Sequence, residues 1–191
     1  MPHGPLAGVR VLEFTLYYAG PAAGMHLADM GAEVIKVEPL EGESMRGNAA
    51  VVPGHSKGFM WLNRGKKSLA VDLQSPEGQA IIHRLVPKFD VVLHNFRPGV
   101  PERLNIGYER LHAINPRLIY AEITGFGRGG PLANAAASDT VGQAYGGAIA
   151  LEGHIDDDGA PVKNDVPIAD LPTGMVAAMG VSAALYRRQV T

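Results

Sequence analysis

The chain has 191 residues, 46% of them hydrophobic and 19% charged, with a formal net charge of -2; this is the composition of a soluble globular protein with one sizeable core, and it offers no basic excess for nucleic acid or an anionic membrane. The absence of cysteine excludes disulfides, thiolate nucleophiles and cysteine-ligated zinc, and fits a reducing compartment. No basic-then-apolar leader opens the sequence and no run approaches the roughly 18 apolar residues of a spanning helix, so a cytoplasmic protein without a membrane partner is expected.

In chain order, VRVLEF (Val9 to Phe14) predicts a short buried strand. AGPAAGMHLADMG predicts a helix ending at Gly31, and AEVIKVE (Ala32 to Glu38) a second strand. SLAVDL (Ser68 to Leu73) reads as a third strand. Ser75-Pro76-Glu77 then supplies an N-cap and a first-turn proline for the helix over GQAIIHRLVPKF. DVVLHNF predicts a strand, YERLHAIN a helix closed by Asn115-Pro116, and RLIYAEITGF a strand running into a glycine-rich turn. This alternation predicts an α/β fold, a doubly wound parallel sheet with ligands at the carboxyl ends of its strands. The loops to search are therefore Phe14 to Pro21, His94 to Gly99 and Thr124 to Gly130. Two segments depart from the alternation: Gly42 to Lys67, read as an ordered surface excursion or binding loop, and Ile155 to Ala160, read as a turn between two short extended pieces.

Several motifs are approached and missed. Glu38 at the end of the second strand suits a dinucleotide fold, but YYAGPAAGM places Gly20 and Gly24 out of register with G-x-G-x-x-G. In NRGKKS the first glycine of a phosphate loop falls on Met60. No serine sits in G-x-S-x-G, and the seven histidines contain no H-x-x-x-H pair, so neither a hydrolase elbow nor a metal site is indicated. Asp156 to Asp158 are consecutive, not alternating as in a calcium loop.

One carboxylate stands out. In VPIADLPTGMVAAMG, Asp170 precedes a small-residue helix, where aspartate is among the best N-caps. On the residues alone it is either that cap or a reactive group.

Taken together, the blocks FTLYYAGPAAGMHLADMGAEVIKVE, GKKSLAVDLQSPEG, HNFRPGVPERLNIGYERL, NPRLIYAEITGFGRGGP, SDTVGQAYGG and IADLPTGMVAAMGVSAALYRRQVT resemble, in order, the class III CoA-transferase family (the CaiB/BaiF group). The resemblance covers nearly the whole chain from about Pro5 onward. It implies a Rossmann-like large domain, a smaller domain and two chains interlocked as a homodimer. Residues 1–191 then form the amino-terminal portion of the large domain, because family members run to about twice this length; a split subunit, a truncated product and a fragment all remain open. It also implies an acyl-CoA and a small carboxylic acid as ligands, coenzyme A as the only cofactor-like group, and no metal.

The family's catalytic aspartate falls on Asp170. Held against a thioester in a partly dehydrated site, a carboxylate attacks the carbonyl, and the chemistry needs no cysteine or histidine base. The family's CoA-contacting positions fall on Tyr18, Ala19, Asn95, Phe96, Arg97 and Arg103, with Lys66 or Lys67 as a further source of charge. Tyr18 replaces a common glutamine, and Pro39 replaces a common phosphate-binding arginine. The same family includes α-methylacyl-CoA racemases, whose acid/base histidine falls here on Ser138, before Asp139. Serine cannot serve that proton exchange, which favours transfer over epimerisation.

Overall fold

The computed structural model describes residues 3–48, 52, 56–153 and 155–191. The strands are β1 (Arg10–Phe14), β2 (Glu33–Glu38), β3 (Lys67–Ala70), β4 (Val91–His94) and β5 (Ile119–Glu122). They form one sheet in the order β3-β2-β1-β4-β5, with every neighbouring pair parallel. The chain therefore reverses its winding between β1 and β4, and a crevice opens at the carboxyl ends of those two strands, as a doubly wound sheet requires.

The helices are α1 (Ala19–Asp29), α2 (Lys57–Leu62), α3 (Pro76–Leu85), α4 (Val100–Arg103), α5 (Tyr108–Ile114), α6 (Asp139–Tyr145), α7 (Ala148–Glu152) and α8 (Asp170–Val190). Ser75 caps α3 by accepting from the Gly78 amide at 3.0 Å, with Pro76 opening the helix. The predicted strand at Ser68 to Leu73 is shorter than its apolar pattern and ends at Ala70. The Gly42–Lys67 excursion holds a 3-10 turn at Ser44–Arg46 and helix α2; residues 49–51 and 53–55 of it lie outside the described residues. The predicted turn at Ile155 to Ala160 closes on a single antiparallel bridge between Ile155 and Pro161.

Period-two alternation sends β1 side chains to two cores. Val11 joins Val34, Val91 and Leu93 beneath α1 and α8, against Ala23, Leu27, Ala178, Val181 and Leu185. Leu12 and Phe14 face the other way, with Val37, Val92, Ile82 and Leu111 under α3 and α5. Among the described residues no helix is long and apolar enough to cross a membrane.

Helix α8 lies close on α1 because both carry small residues at the crossing. A Cβ built on Gly174 would stand 2.7 Å from the Ala22 Cβ and 2.8 Å from the Ala19 carbonyl oxygen, whereas one on Gly180 would meet nothing within 4 Å. Gly174→Ala is therefore expected to destabilise by about 1–3 kcal/mol through overpacking. Gly180→Ala is expected to stabilise by up to about 1 kcal/mol through helix propensity. Thermal melts of the two variants should move in opposite directions.

Candidate active site

The crevice is built by three loops and one helix end. A cavity of about 210 Å³ is lined by Ala19 at the start of α1, Asn95 to Pro98 after β4, Ile123 to Gly125 after β5, and Ala169, Asp170 and Thr173 at the start of α8. The sheet thus brings the loops expected from the strand order to Asp170, whose position in the sequence is remote from all of them.

Asp170 does not cap α8. It is the first helical residue, the N-cap position is Ala169, and no side-chain capping bond is made from either. The cap is Asp139, at the start of α6: its Oδ1 accepts from the Ala169 amide at 2.8 Å and the Asp170 amide at 3.0 Å. Among the described residues the Asp170 carboxylate has no hydrogen-bond donor, and it stands half-buried in the cleft. Burial and, secondarily, the negative charge of Asp139 push its pKa up to about 6.

That shift carries a stability signature. A carboxyl whose pKa is raised on folding favours the folded state while protonated, and this contribution is lost as pH rises from the ordinary aspartate range through about 6. Ionised Asp170 therefore costs stability at neutral pH. Asp170→Asn is expected to stabilise the fold at pH 7.5 by roughly 1 kcal/mol, a figure reduced from the full shift because the group is partly solvated. The gain should vanish near pH 4, as denaturation at the two pH values would record.

The other candidate residues divide by location. Asn95 holds the β1 and β4 loops together: its Oδ1 accepts from the Leu16 amide and its Nδ2 donates to the Leu16 carbonyl, both at 2.8 Å. Phe96 borders the Asp170 cleft and also a second cavity of about 450 Å³ at the ends of β1, β2 and β3, lined by Phe14, Val37, Pro39 and Leu104 among others. The Phe96 amide donates to His94 Nδ1 at 3.3 Å, and the two rings stack at 6.0 Å. Burial, then Arg128, lowers the His94 pKa to about 4, so this imidazole is a neutral support for Phe96. Arg97 is exposed on the cleft rim; Arg103, at the end of α4, is exposed but borders neither cavity. Ala19 lines the cleft, while Tyr18 packs with Ala22, Met25, Leu62 and Leu171 behind it.

Lys66 and Lys67 are not available as cleft cations. Lys66 is buried, its Nζ donating to Glu13 Oε1 at 2.9 Å, Pro21 O at 2.9 Å and Asn63 Oδ1 at 3.0 Å, which uses all three of its protons. Lys67 begins β3, at the opposite end of the sheet from the crevice, and pairs with Glu33 at 2.6 Å. Glu38 likewise cannot hold a ribose. One oxygen accepts from Arg46 and Ser68 and the other from Arg46 and the Glu43 amide; despite its burial these bonds hold the carboxyl down at about 2.

Sequence reasoning missed Gln143. It is buried, donates to Asp139 Oδ2 and to the Asn164 carbonyl, and accepts from the Asn164 amide at 3.0 Å. The available signal was its spacing, since residues four apart share a helix face.

A family model described as CoA-transferase family III matches residues 6–191. The chain is 45% identical over 190 residues to a protein named succinyl-CoA–D-citramalate CoA-transferase from Chloroflexus aurantiacus, covering 98% of this chain and 47% of that protein. It is 42% identical over 194 residues to a succinate–glutarate CoA-transferase from Agrobacterium fabrum, covering 95% of this chain and 47% of that one. Among solved structures, a CaiB/BaiF family protein from Brucella suis superposes with a TM-score of 0.89 at 40% identity, over 97% of this chain and 50% of the other. The chain thus spans about half the length of the curated relatives it matches.

Proposed function

The chain belongs to CoA-transferase family III, and on that premise we propose that it supplies the nucleophile and much of the coenzyme A site of an acyl-CoA:carboxylate CoA-transferase. The observation that carries this reading is Asp170: a half-buried carboxylate with a raised pKa and no donor among the described residues, facing a cleft at the sheet's switch point. Weak hydrogen bonding leaves its electron pair available, and the elevated basicity makes it a better nucleophile once ionised.

The proposed sequence of bonds balances without an outside proton. The Asp170 carboxylate attacks the acyl-CoA carbonyl, forming a mixed anhydride and expelling CoA thiolate. The thiolate attacks the aspartyl carbonyl, giving an aspartyl-CoA thioester and releasing the donor acid. The acceptor carboxylate then attacks that thioester, forming a second anhydride and thiolate. Attack of thiolate on the new acyl carbonyl yields product acyl-CoA and restores Asp170. Each tetrahedral intermediate requires oxyanion donors; the resemblance assigns these to a glycine loop in the half of the family length that this chain does not span, together with the small domain.

Phe96 fits a coenzyme A path, because it forms a wall common to the cleft and the larger cavity. The nucleotide is assigned to the larger cavity and the thioester to the cleft, with Ala19 and Arg97 on the cleft side. Asn95 then acts by fixing the loop geometry, and Arg103 and Tyr18 contribute from outside the cleft. The relatives named for succinyl-CoA, D-citramalate, succinate and glutarate support short dicarboxylates as donor and acceptor. Exposed apolar residues along α8, among them Met175, Val176, Met179 and Tyr186, are consistent with cover by another polypeptide surface, whether a second copy or a completing chain.

Among the described residues lining the cleft there is no histidine, and Ser138 stands at its rim, which disfavours the racemase alternative. The test is an assay of the chain, alone and with the completing half of a relative, against succinyl-CoA and a panel of free dicarboxylic acids. Transfer of CoA to the acid is expected. Exchange of deuterium at the α-carbon of a branched acyl-CoA, without CoA transfer, would overturn the assignment.

A further inference from the structure

Asp170 occupies a place where an aspartate ordinarily loses its reactivity. At a helix start its carboxylate accepts the first amides, and those bonds, with the positive end of the helix dipole, hold it ionised and weakly basic. In this chain a different carboxylate, 31 residues upstream, accepts the Asp170 amide. Asp139 is itself fixed from behind. Its Oδ2 accepts from Gln143, a side chain 2% exposed, whose amide also exchanges bonds with both backbone groups of Asn164 on the segment leading to Asp170. Asn164 in turn donates to Glu152 at the end of α7.

Resting on the reading of Asp170 as the nucleophile, we propose that Asp139 is its positioning residue: Asp139 takes over the capping of α8 and so leaves the Asp170 carboxylate unbonded and aimed into the cleft, with Gln143 holding Asp139 in register. Asp139 acts in two separable ways. Its oxygen anchors the amides of Ala169 and Asp170, which fixes the nucleophile's backbone. Its charge offsets the positive end of α8 and repels a second negative charge at Asp170, in the direction found for that group. Few other charges oppose or reinforce it. Arg97 lines the rim from the β4 loop. Lys163 and Asp165 on the approach segment pair with one another at 3.0 Å. The titratable residues of α1, His26 and Asp29, line a groove on the far side.

Asparagine and alanine separate the two actions. Asp139→Asn keeps an oxygen acceptor of the same size and removes the charge; Asp139→Ala removes both. The measurement is the titration of the Asp170 carboxyl carbon by NMR in the complete chain, with hydrogen exchange of the Ala169 and Asp170 amides. In Asp139→Asn the Asp170 midpoint is expected to fall below its wild-type value of about 6, while the two amides remain protected. In Asp139→Ala both amides should lose protection. An unchanged midpoint in the asparagine variant, or amides that stay protected in the alanine variant, would overturn the proposal. Should neither variant fold, couplings across the hydrogen bonds in the wild-type chain decide it: couplings from both amides to the Asp139 carboxyl support it, and their absence refutes it. None of these readouts depends on turnover. Failure to trap an adduct at Asp170 would strike the nucleophile reading alone, and an unmoved midpoint would strike Asp139 alone.

Discussion

Asp170→Asn is expected to lower CoA transfer by about 10⁴-fold or more in the completed enzyme while leaving coenzyme A affinity within a few-fold of wild type. Loss of a covalent nucleophile removes the pathway itself, and such losses run from about 10⁴ to 10⁶. The amide of asparagine has nearly the shape of the carboxylate but no electron pair able to displace a thiolate. Affinity should survive because the larger cavity assigned to the nucleotide, at the ends of β1 to β3, does not include Asp170. Asp170→Glu makes a finer test. The extra methylene moves the carboxylate by more than 1 Å, and misplacement on that scale costs about 10²-fold. Steady-state kinetics with a calorimetric titration of CoA would separate the two effects.

The second large effect lies in a buried ion network between β1, β2 and the start of α1. Glu13, on β1, is fully buried; its Oε1 accepts from Thr15, from Lys66 at 2.9 Å and from Lys36 at 3.5 Å. Lys36 also stands 2.6 Å from Glu43 and donates to the Thr15 carbonyl at 2.9 Å. Two ammonium groups and two carboxylates thus balance in a closed space. Burial lowers the Lys66 pKa and raises that of Glu43.

Removing Glu13 leaves Lys66 with only neutral partners. Loss of one member of a buried pair typically costs about 3–5 kcal/mol, far more than the net worth of the pair. Glu13→Ala is therefore expected to lower the unfolding free energy by that amount, read as a downward shift of the urea midpoint at unchanged slope. Glu13→Leu combined with Lys66→Met should recover most of it, since apolar replacement of both partners removes the uncompensated charge. Because Lys66 also holds Pro21 of α1 and Asn63 beyond α2, the single variant should loosen the start of α1, whose Ala19 lines the cleft.

The parallel sheet was legible in the sequence because its central strands are buried on both faces and therefore read as near-continuous apolar runs between helical stretches. VRVLEF and DVVLHNF are the clearest cases, and they became β1 and β4, the strands that flank the crevice. Strand ends were less legible. The β3 run continues its apolar pattern to Leu73, but the register with β2 ends at Ala70 and the last bond between them is the Val71 amide donating to the Glu38 carbonyl at 2.8 Å, since side-chain pattern reports burial and not strand pairing.

At the site, the position of Asp170 was legible and its local role was not. Local spacing makes an aspartate before Leu-Pro-Thr-Gly look like a cap, and only the tertiary approach of α6 shows that Asp139 holds that place. The same limit applies to Lys66 and Asn95. A lysine beside a glycine suggests a phosphate contact, and an asparagine on a ligand loop suggests a ligand contact. The structure instead commits the Lys66 ammonium to a buried network and both polar ends of Asn95 to Leu16. Partners far away in sequence decide which polar groups remain free, and spacing carries no record of them.

The central claim is that Asp170 becomes covalently acylated, and trapping with hydroxylamine tests it most directly. Hydroxylamine converts an aspartyl anhydride or aspartyl thioester to a hydroxamate and leaves a free carboxylate untouched. The completed enzyme is incubated with succinyl-CoA and hydroxylamine, digested, and its peptides are mapped by mass spectrometry. The account predicts a hydroxamate on Asp170, dependent on acyl-CoA and absent from Asp170→Asn. A hydroxamate on another carboxylate, or full transfer activity with Asp170 unmodified throughout, would contradict it.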